Sequence, residues 1–314
     1  MKKALIVGIN NYPGMPLRGC VNDAISLASV LESHATGSPN FSVRLITSPN
    51  ERVTRASLRE AIERLFEGNS DVCLFYFSGH GFIRSTGGYI VATDFQRYDE
   101  GVSMDDILLL ANQSRIREKI ILLDCCHSGK FGSPNITGTG AILGDGVTVL
   151  TASRAEEAAL EAGGRGIFTS LVIDALKGGA ADLLGEVTPG GVYAYVDRAL
   201  GPWEQRPVFK TNISRFTSLR TVQPPISREH LRRLTQIFPN PEDELALDPS
   251  FEPQSANPDA RNTRTFTTLQ AYRAVNLVVP VGEEHMYYAA MNRKSCRLTA
   301  MGLQYWRLVE ERKL

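Results

Sequence analysis

The chain has 314 residues, carries 34 Lys plus Arg against 34 Asp plus Glu, and is 43% hydrophobic. That length accommodates one large α/β domain and a smaller one, and a formal net charge of zero removes bulk electrostatics as an argument for a nucleic-acid or membrane partner. No apolar run is long enough to span a bilayer. Five cysteines, two of them adjacent, do not make a disulfide framework, so a reducing cytoplasm is the expected compartment.

Taken in order, Ala4 to Ile9 is a short apolar run ending in Asn-Asn-Tyr-Pro-Gly. It reads as a first core strand followed by turn chemistry, not as a signal peptide. Asn22 or Asp23 is placed to cap a helix reaching about His34. Val43 to Ile46 is a second strand, and Thr54 to Phe66 an amphipathic helix with Leu58, Ile62, Leu65 and Phe66 as its stripe. The stretch DVCLFYFSGHG, Asp71 to Gly81, is a buried strand that delivers Ser78, Gly79, His80 and Gly81 at its end.

Gly87 to Asp94 resembles half of a hairpin, and Ser103 to Ala111 a helix opening with two acids that suit its dipole. The stretch EKIILLDCCHSG, Glu118 to Gly129, is a second doubly buried strand, ending in an aspartate and a cysteine pair. Lys130 to Asp145 is a Gly/Ser/Thr-rich surface loop, Gly146 to Ala152 a further strand, Ile167 to Lys177 and Gly191 to Leu200 helices, and Pro207 to Thr211 a last strand. Repeated alternation of strand and helix predicts a mostly parallel sheet with helices on both faces, an α/β three-layer sandwich.

Composition shifts after Val222. Gln223-Pro224-Pro225 is a linker, and Pro239 to Pro258 an exposed loop. Leu277 to Pro280 is a strand, and Glu284 to Asn292 and Thr299 to Arg312 are helices, the second burying Leu303, Trp306, Leu308 and Val309. We therefore expect a domain over 1–221 and a small α+β or winged-helix-like domain over 222–314.

Chemistry gathers where the two buried strands end. Open α/β sheets place ligands at the carboxyl ends of their parallel strands. A histidine beside a cysteine can take the thiol proton and return it to a leaving amine. The backbone N–H groups of the nucleophile and of Gly81 are candidates for the oxyanion hole. Other residues have ordinary explanations: Cys73 is a core residue, Asp23 a helix cap, and Asp105 and Asp106 dipole partners.

Beyond these readings, the stretches ALIVGINNY, LRGCVNDA, YFSGHG, LLDCCHSG, GRGIFTSLVIDAL and QRPVFKT together resemble the caspase-type cysteine peptidases of the metacaspase-like, prokaryotic branch, over roughly Met1 to Thr221. The resemblance implies the caspase–haemoglobinase fold, His80 as base and the second cysteine, Cys126, as nucleophile, with the Gly81 and Cys126 N–H groups as the oxyanion hole. It implies that Asp23 and Asp124, with Cys20 beside them, line the first specificity pocket. Two carboxylates there favour a cationic residue, so protein substrates cut after Arg or Lys are expected.

The same resemblance implies calcium at Asp94, Asp105 and Asp106, with Ser133 standing where some members carry a further acid. The chemistry itself requires no cofactor. For the tail, the resemblance implies a regulated effector, switched by a nucleotide-like signal in anti-phage defence or stress-induced death. Clustered aromatics and basics, among them Tyr287, Tyr288, Arg293 and Lys294, suit such a ligand. Nearly balanced charge argues against a strong nucleic-acid contact. A binding or scaffold protein on an inactive caspase fold is the alternative class.

Overall fold

The computed structural model describes residues 1–84, 87–96, 99–125, 142–152, 161–162, 165–200 and 206–314. They form two compact units, Met1–Gln223 and Pro224–Leu314. The first unit begins β1 (Lys2–Gly8), α1 (Cys20–Leu31), β2 (Phe41–Thr47), α2 (Arg55–Phe66), β3 (Val72–Ser78), β4 (Gly81–Arg84), β5 (Gly87–Gln96), β6 (Asp99–Ser103) and α3 (Met104–Gln113). It continues β7 (Glu118–Asp124), β8 (Val147–Thr151), β9 (Glu161–Ala162), β10 (Arg165–Gly166), α4 (Ile167–Asp174), β11 (Glu186–Val187), α5 (Pro189–Leu200), β12 (Val208–Asn212) and β13 (Arg220–Thr221).

Six strands make one sheet in the order β12–β8–β7–β3–β1–β2. Its members from β8 to β2 are parallel, and β12 pairs antiparallel with β8. Strands β3 and β7 are buried along their whole length, as parallel strands covered on both faces must be. Side-chain alternation sorts the core into two halves. Leu5, Val7, Phe75, Phe77, Ile121 and Leu123 pack with Leu58, Ile62 and Ile107 of α2 and α3. Ala4, Ile6, Leu74, Tyr76, Ile120 and Leu122 pack with Leu27 and Leu31 of α1, Phe168 of α4 and Val192 of α5. Each fully buried Leu, Ile or Phe contributes about 1.5–3 kcal/mol, so these two layers hold the sheet and fix where its strands end.

Helix α1 departs from the sequence reading. Its N-cap is Gly19, with no side-chain cap bond, so neither Asn22 nor Asp23 caps it. Asp23 instead sits inside the first turn and is only 2% exposed. Strands β4, β5 and β6 form a separate antiparallel sheet that starts one residue after His80.

The second unit runs α6 (Arg228–Arg232), α7 (Leu234–Ile237), β14 (Leu245–Ala246), α8 (Ala260–Ala274), β15 (Val278–Val281), α9 (Met286–Met291), β16 (Ser295–Leu298) and α10 (Ala300–Glu310). Strand β16 lies between β14 and β15, antiparallel to both. Helix α9 is carried in the connection between β15 and β16. Helix α8, capped by Asp259 and burying Phe266, Leu269 and Tyr272, was not expected from the sequence. Leu303, Trp306, Leu308 and Val309 of α10 are half-buried, not buried as expected. The Trp306 indole N–H donates to the Phe238 carbonyl at 2.7 Å.

Candidate active site

The register of β3 against β7 ends with Ser78 opposite Asp124. His80 and Cys126 each lie two positions further along the chain. Cys126 itself, with Ser133, falls outside the described residues.

His80 is held from three sides. Its Nε2 is 2.8 Å from the Met15 carbonyl oxygen. A carbonyl only accepts, so Nε2 carries the proton, and in the neutral imidazole Nδ1 is left as the basic nitrogen. The His80 backbone N–H donates to the Tyr12 hydroxyl at 3.1 Å, and its carbonyl accepts from the Val91 N–H at 2.9 Å. Tyr12, 3% exposed, closes the loop by donating its hydroxyl to the Val91 carbonyl at 3.1 Å. Its ring also lies 4.6 Å from the imidazole, tilted by 58°.

Burial pushes the Tyr12 phenol well up, with the Cys20 and Cys125 sulfurs adding to the effect. Tyr12 therefore keeps its proton and acts as a fixed donor. A Cβ on Gly79 would overlap the Tyr12 hydroxyl and come within 2.8 Å of the Phe77 ring, so glycine is what lets the tyrosine reach the turn. Neither Tyr12 nor the Met15 carbonyl was singled out from sequence. A tyrosine in a Pro-Gly turn carries no signal that its hydroxyl will reach residues some seventy positions away.

Gly81 opens β4 opposite Ile90. Because the Val91 N–H bonds to the His80 carbonyl, the His80–Val91 pair is of the hydrogen-bonded kind and Gly81–Ile90 of the other kind. The Gly81 N–H is thereby directed away from β5, on the outer side of a strand that is an edge of its sheet.

Asp23 and Asp124 come together. Both are buried, 2% and 6% exposed, and they meet at Gly166, the last residue of β10. The Gly166 N–H donates to Asp23 Oδ2 at 2.9 Å. A Cβ on Gly166 would overlap Asp124 Oδ2 and lie 3.1 Å from Asp23 Oδ2, so the two carboxylates face each other across one α-carbon. Thr169 of α4 donates its hydroxyl to Asp124 Oδ2 at 2.6 Å, and the Tyr76 and Thr169 hydroxyl oxygens are 2.7 Å apart. Alternation along β3 and β7 explains the meeting: Tyr76 and Asp124 point to the face covered by α1 and α4. Like charges held this close disfavour each other's ionised form, and a cation beside them relieves that. Tyr76 senses the same field: burial first, then Asp124 and Asp23, push its phenol well up.

Cys20 begins α1, is buried, and presents its carbonyl to Gly8, where a Cβ would overlap it. Cys125 is 1% exposed among the apolar residues that α2 and α3 cover. Cys73, buried and pushed up to about 12 by desolvation, is inert.

Two of the three acids expected for calcium have partners on α2. Asp94 Oδ1 accepts the Arg55 backbone N–H at 2.8 Å. Asp106 pairs with the Arg59 guanidinium at 3.0 Å, and Arg55 pairs with Asp99. Asp105 is raised by burial and by Asp106 beside it. Among the described residues no group of three or more His, Cys, Asp or Glu side chains could hold a metal ion. Asp94 and Asp106 are thus answered from α2, by the Arg55 backbone N–H and the Arg59 guanidinium.

With this geometry in view, a family model described as "Caspase domain" matches residues 1–217. Among curated relatives, Metacaspase-1 of Plasmodium berghei is 32% identical over 147 residues, 40% of this chain and 24% of the relative. Metacaspase-1 of Debaryomyces hansenii is 33% identical over 147 residues, 41% of this chain and 33% of the relative. The chain thus spans between a quarter and about a third of the length of these relatives. Among solved structures, a protein of Geobacter sulfurreducens aligns with a TM-score of 0.52 at 16% identity, covering 71% of this chain and 99% of that one. Caspase-1 of Spodoptera frugiperda aligns with a TM-score of 0.52 at 14% identity, covering 70% and 92%. At those identities the structural likeness is one of fold.

Proposed function

We propose, from the premise that this chain belongs to the caspase-domain family of cysteine peptidases, that it is an endopeptidase cutting after Arg or Lys through His80 and Cys126. His80 Nδ1 takes the Cys126 thiol proton, and the thiolate attacks the scissile carbonyl carbon. The Gly81 and Cys126 N–H groups receive the developing oxyanion. The imidazolium then protonates the leaving amine, and water, deprotonated by the same nitrogen, hydrolyses the thioester. Holding the Nε2 proton on Met15 through the cycle keeps one tautomer in place.

The observation that carries the specificity is the buried acid pair at Gly166. Asp23 and Asp124 together suit a guanidinium or ammonium and repel an acidic side chain. The test is the Asp23→Asn, Asp124→Asn double variant, assayed on fluorogenic peptides ending in Arg, Lys or Asp. Loss of Arg and Lys turnover with the fold retained supports the reading, and unchanged turnover on basic peptides overturns it.

The second unit is read as the regulator. What supports this is an exposed aromatic pair, Tyr287 and Tyr288, 46% and 49% exposed, with rings 5.3 Å apart and edge-on and His285 6.1 Å from Tyr288. Such rings suit stacking against a nucleotide-like signal, in keeping with a conditionally activated effector of anti-phage defence or stress-induced death in the cytoplasm. Among the described residues no helix is long and apolar enough to cross a membrane, and Cys20, Cys73, Cys125 and Cys296 are free thiols. Activation of peptide cleavage by extract from infected cells, lost in a Tyr287→Ala, Tyr288→Ala variant, is the expected result. Equal activity with and without extract contradicts it.

A further inference from the structure

We infer that Thr169, backed by Tyr76, is a positioning device that sets the chain's preference for arginine over lysine. This rests on the reading of Asp23 and Asp124 as the substrate pocket. The geometry is a chain of buried hydroxyls ending on a carboxylate. Thr169, 0% exposed, spends its one hydroxyl proton on Asp124 Oδ2 at 2.6 Å. The 2.7 Å contact between the Tyr76 and Thr169 oxygens must then be donated by Tyr76. Tyr76 is itself fully buried. Both protons point the same way, towards Asp124, and in a dry interior such dipoles reinforce one another.

The consequence is orientation as well as charge. An aspartate alone at a strand end can turn about its last bond. Asp124 cannot turn without giving up a short charge-assisted bond. A lysine ammonium is a compact charge whose three donors rotate, so it tolerates a carboxylate that swings. An arginine guanidinium is a rigid planar fork and gains its second hydrogen bond only from acceptors held in plane. Gly166 plays the matching part for Asp23 through its backbone N–H, 2.9 Å from Oδ2, so both acids of the pair are oriented by buried donors. The chain of hydroxyls touches the carboxylate and not the reacting atoms. It therefore acts on selectivity and KM, not on the thiol.

The test measures kcat and KM on matched Arg- and Lys-terminated peptides for the full chain and for Thr169→Val, Thr169→Ser and Tyr76→Phe, with the Cys126 alkylation rate alongside. Thr169→Val is expected to lose about tenfold in kcat/KM on the Arg peptide, mainly through KM, and less than about threefold on the Lys peptide. Thr169→Ser should restore the wild-type ratio, Tyr76→Phe should fall between, and alkylation should not change. An Arg-to-Lys ratio unaltered in both Thr169→Val and Tyr76→Phe overturns the inference while leaving the peptidase reading intact. If Thr169→Val does not fold, the ratio in Tyr76→Phe decides. A wild-type chain that cleaves neither peptide overturns the pocket reading and this inference with it.

Discussion

Replacing Gly166 by Ala isolates the acid pair from everything else at the site. The Gly166 backbone, at φ −67° and ψ 129°, is open to any L-residue, so the change adds no backbone strain. Only the new methyl acts. It would overlap Asp124 Oδ2 and stand 3.1 Å from Asp23 Oδ2 and 3.3 Å from Asp124 Cγ, where ordinary contacts are wider. Asp124 must move, and moving it breaks the 2.6 Å bond from Thr169.

Overpacking of this kind costs about 1–3 kcal/mol, and a domain of this size loses about 2–4 °C in Tm per kcal/mol. A fall of several degrees is expected. The lost charge-assisted bond is worth about 1.5–3 kcal/mol, which at 1.4 kcal/mol per decade is roughly 10- to 150-fold in kcat/KM on an Arg peptide. The assay pairs Arg-peptide kinetics with iodoacetamide alkylation of Cys126. Peptide turnover should fall by that factor while the alkylation rate holds, since His80 and its supports lie elsewhere. Wild-type kinetics in the alanine variant, or an equal fall in alkylation, refutes the argument that the pocket meets at this α-carbon.

Two further outcomes follow from the same coordinates. Tyr12→Phe removes the hydroxyl that serves both the His80 N–H and the Val91 carbonyl. The buried Val91 carbonyl and the half-buried His80 N–H lose a partner, the buried one at about 1–3 kcal/mol, so chemical denaturation should show a loss of at least ~1 kcal/mol, and kcat should fall more than KM rises. The second concerns pH. His34 Nδ1 accepts the Thr221 N–H at 2.9 Å, and burial, then Lys2 and Arg220, hold its pKa below the ordinary 6.5. The unfolded state then binds the proton more readily, so His34 contributes stability that is present above pH ~6.5 and lost as pH falls through its lower folded value. His34→Asn should flatten that part of the stability–pH curve, and an unchanged slope in urea melts removes His34 from the account.

The parts of the fold that were legible in the sequence were those whose burial leaves a mark on a short window. Strands β3 and β7 are uninterrupted apolar runs, so their positions and the residues at their ends could be read directly. Strand direction leaves no such mark, and the antiparallel course of β12 emerges only from its pairing with β8. Helix α8 was invisible because ARNTRTFTTLQAYRA carries few apolar residues, with Thr268 filling a core position among Phe266, Leu269 and Tyr272.

At the site, Asp23 was named but its first alternative use, as a cap, was wrong. Gly19 holds that position, which leaves the carboxylate for Gly166, more than a hundred residues on. Gly166, Thr169 and Tyr76 were within view as part of strand and helix patterns, yet their convergence on one carboxylate depends on tertiary packing. Calcium at Asp94, Asp105 and Asp106 was suggested by the resemblance. The Arg55 backbone N–H and the Arg59 guanidinium, which meet Asp94 and Asp106, lie on α2, some forty residues earlier.

The central claim is that a cysteine and a histidine at neighbouring strand ends cut proteins beside basic residues. It is tested most directly by pure wild-type chain and Cys126→Ala, with extract from infected cells added to both, on peptides ending in Arg, Lys and Asp. The account predicts turnover of the Arg and Lys peptides by the wild type, none of the Asp peptide, and no signal above extract alone from Cys126→Ala. Equal cleavage by both proteins, or wild-type cleavage confined to the Asp peptide, would contradict it.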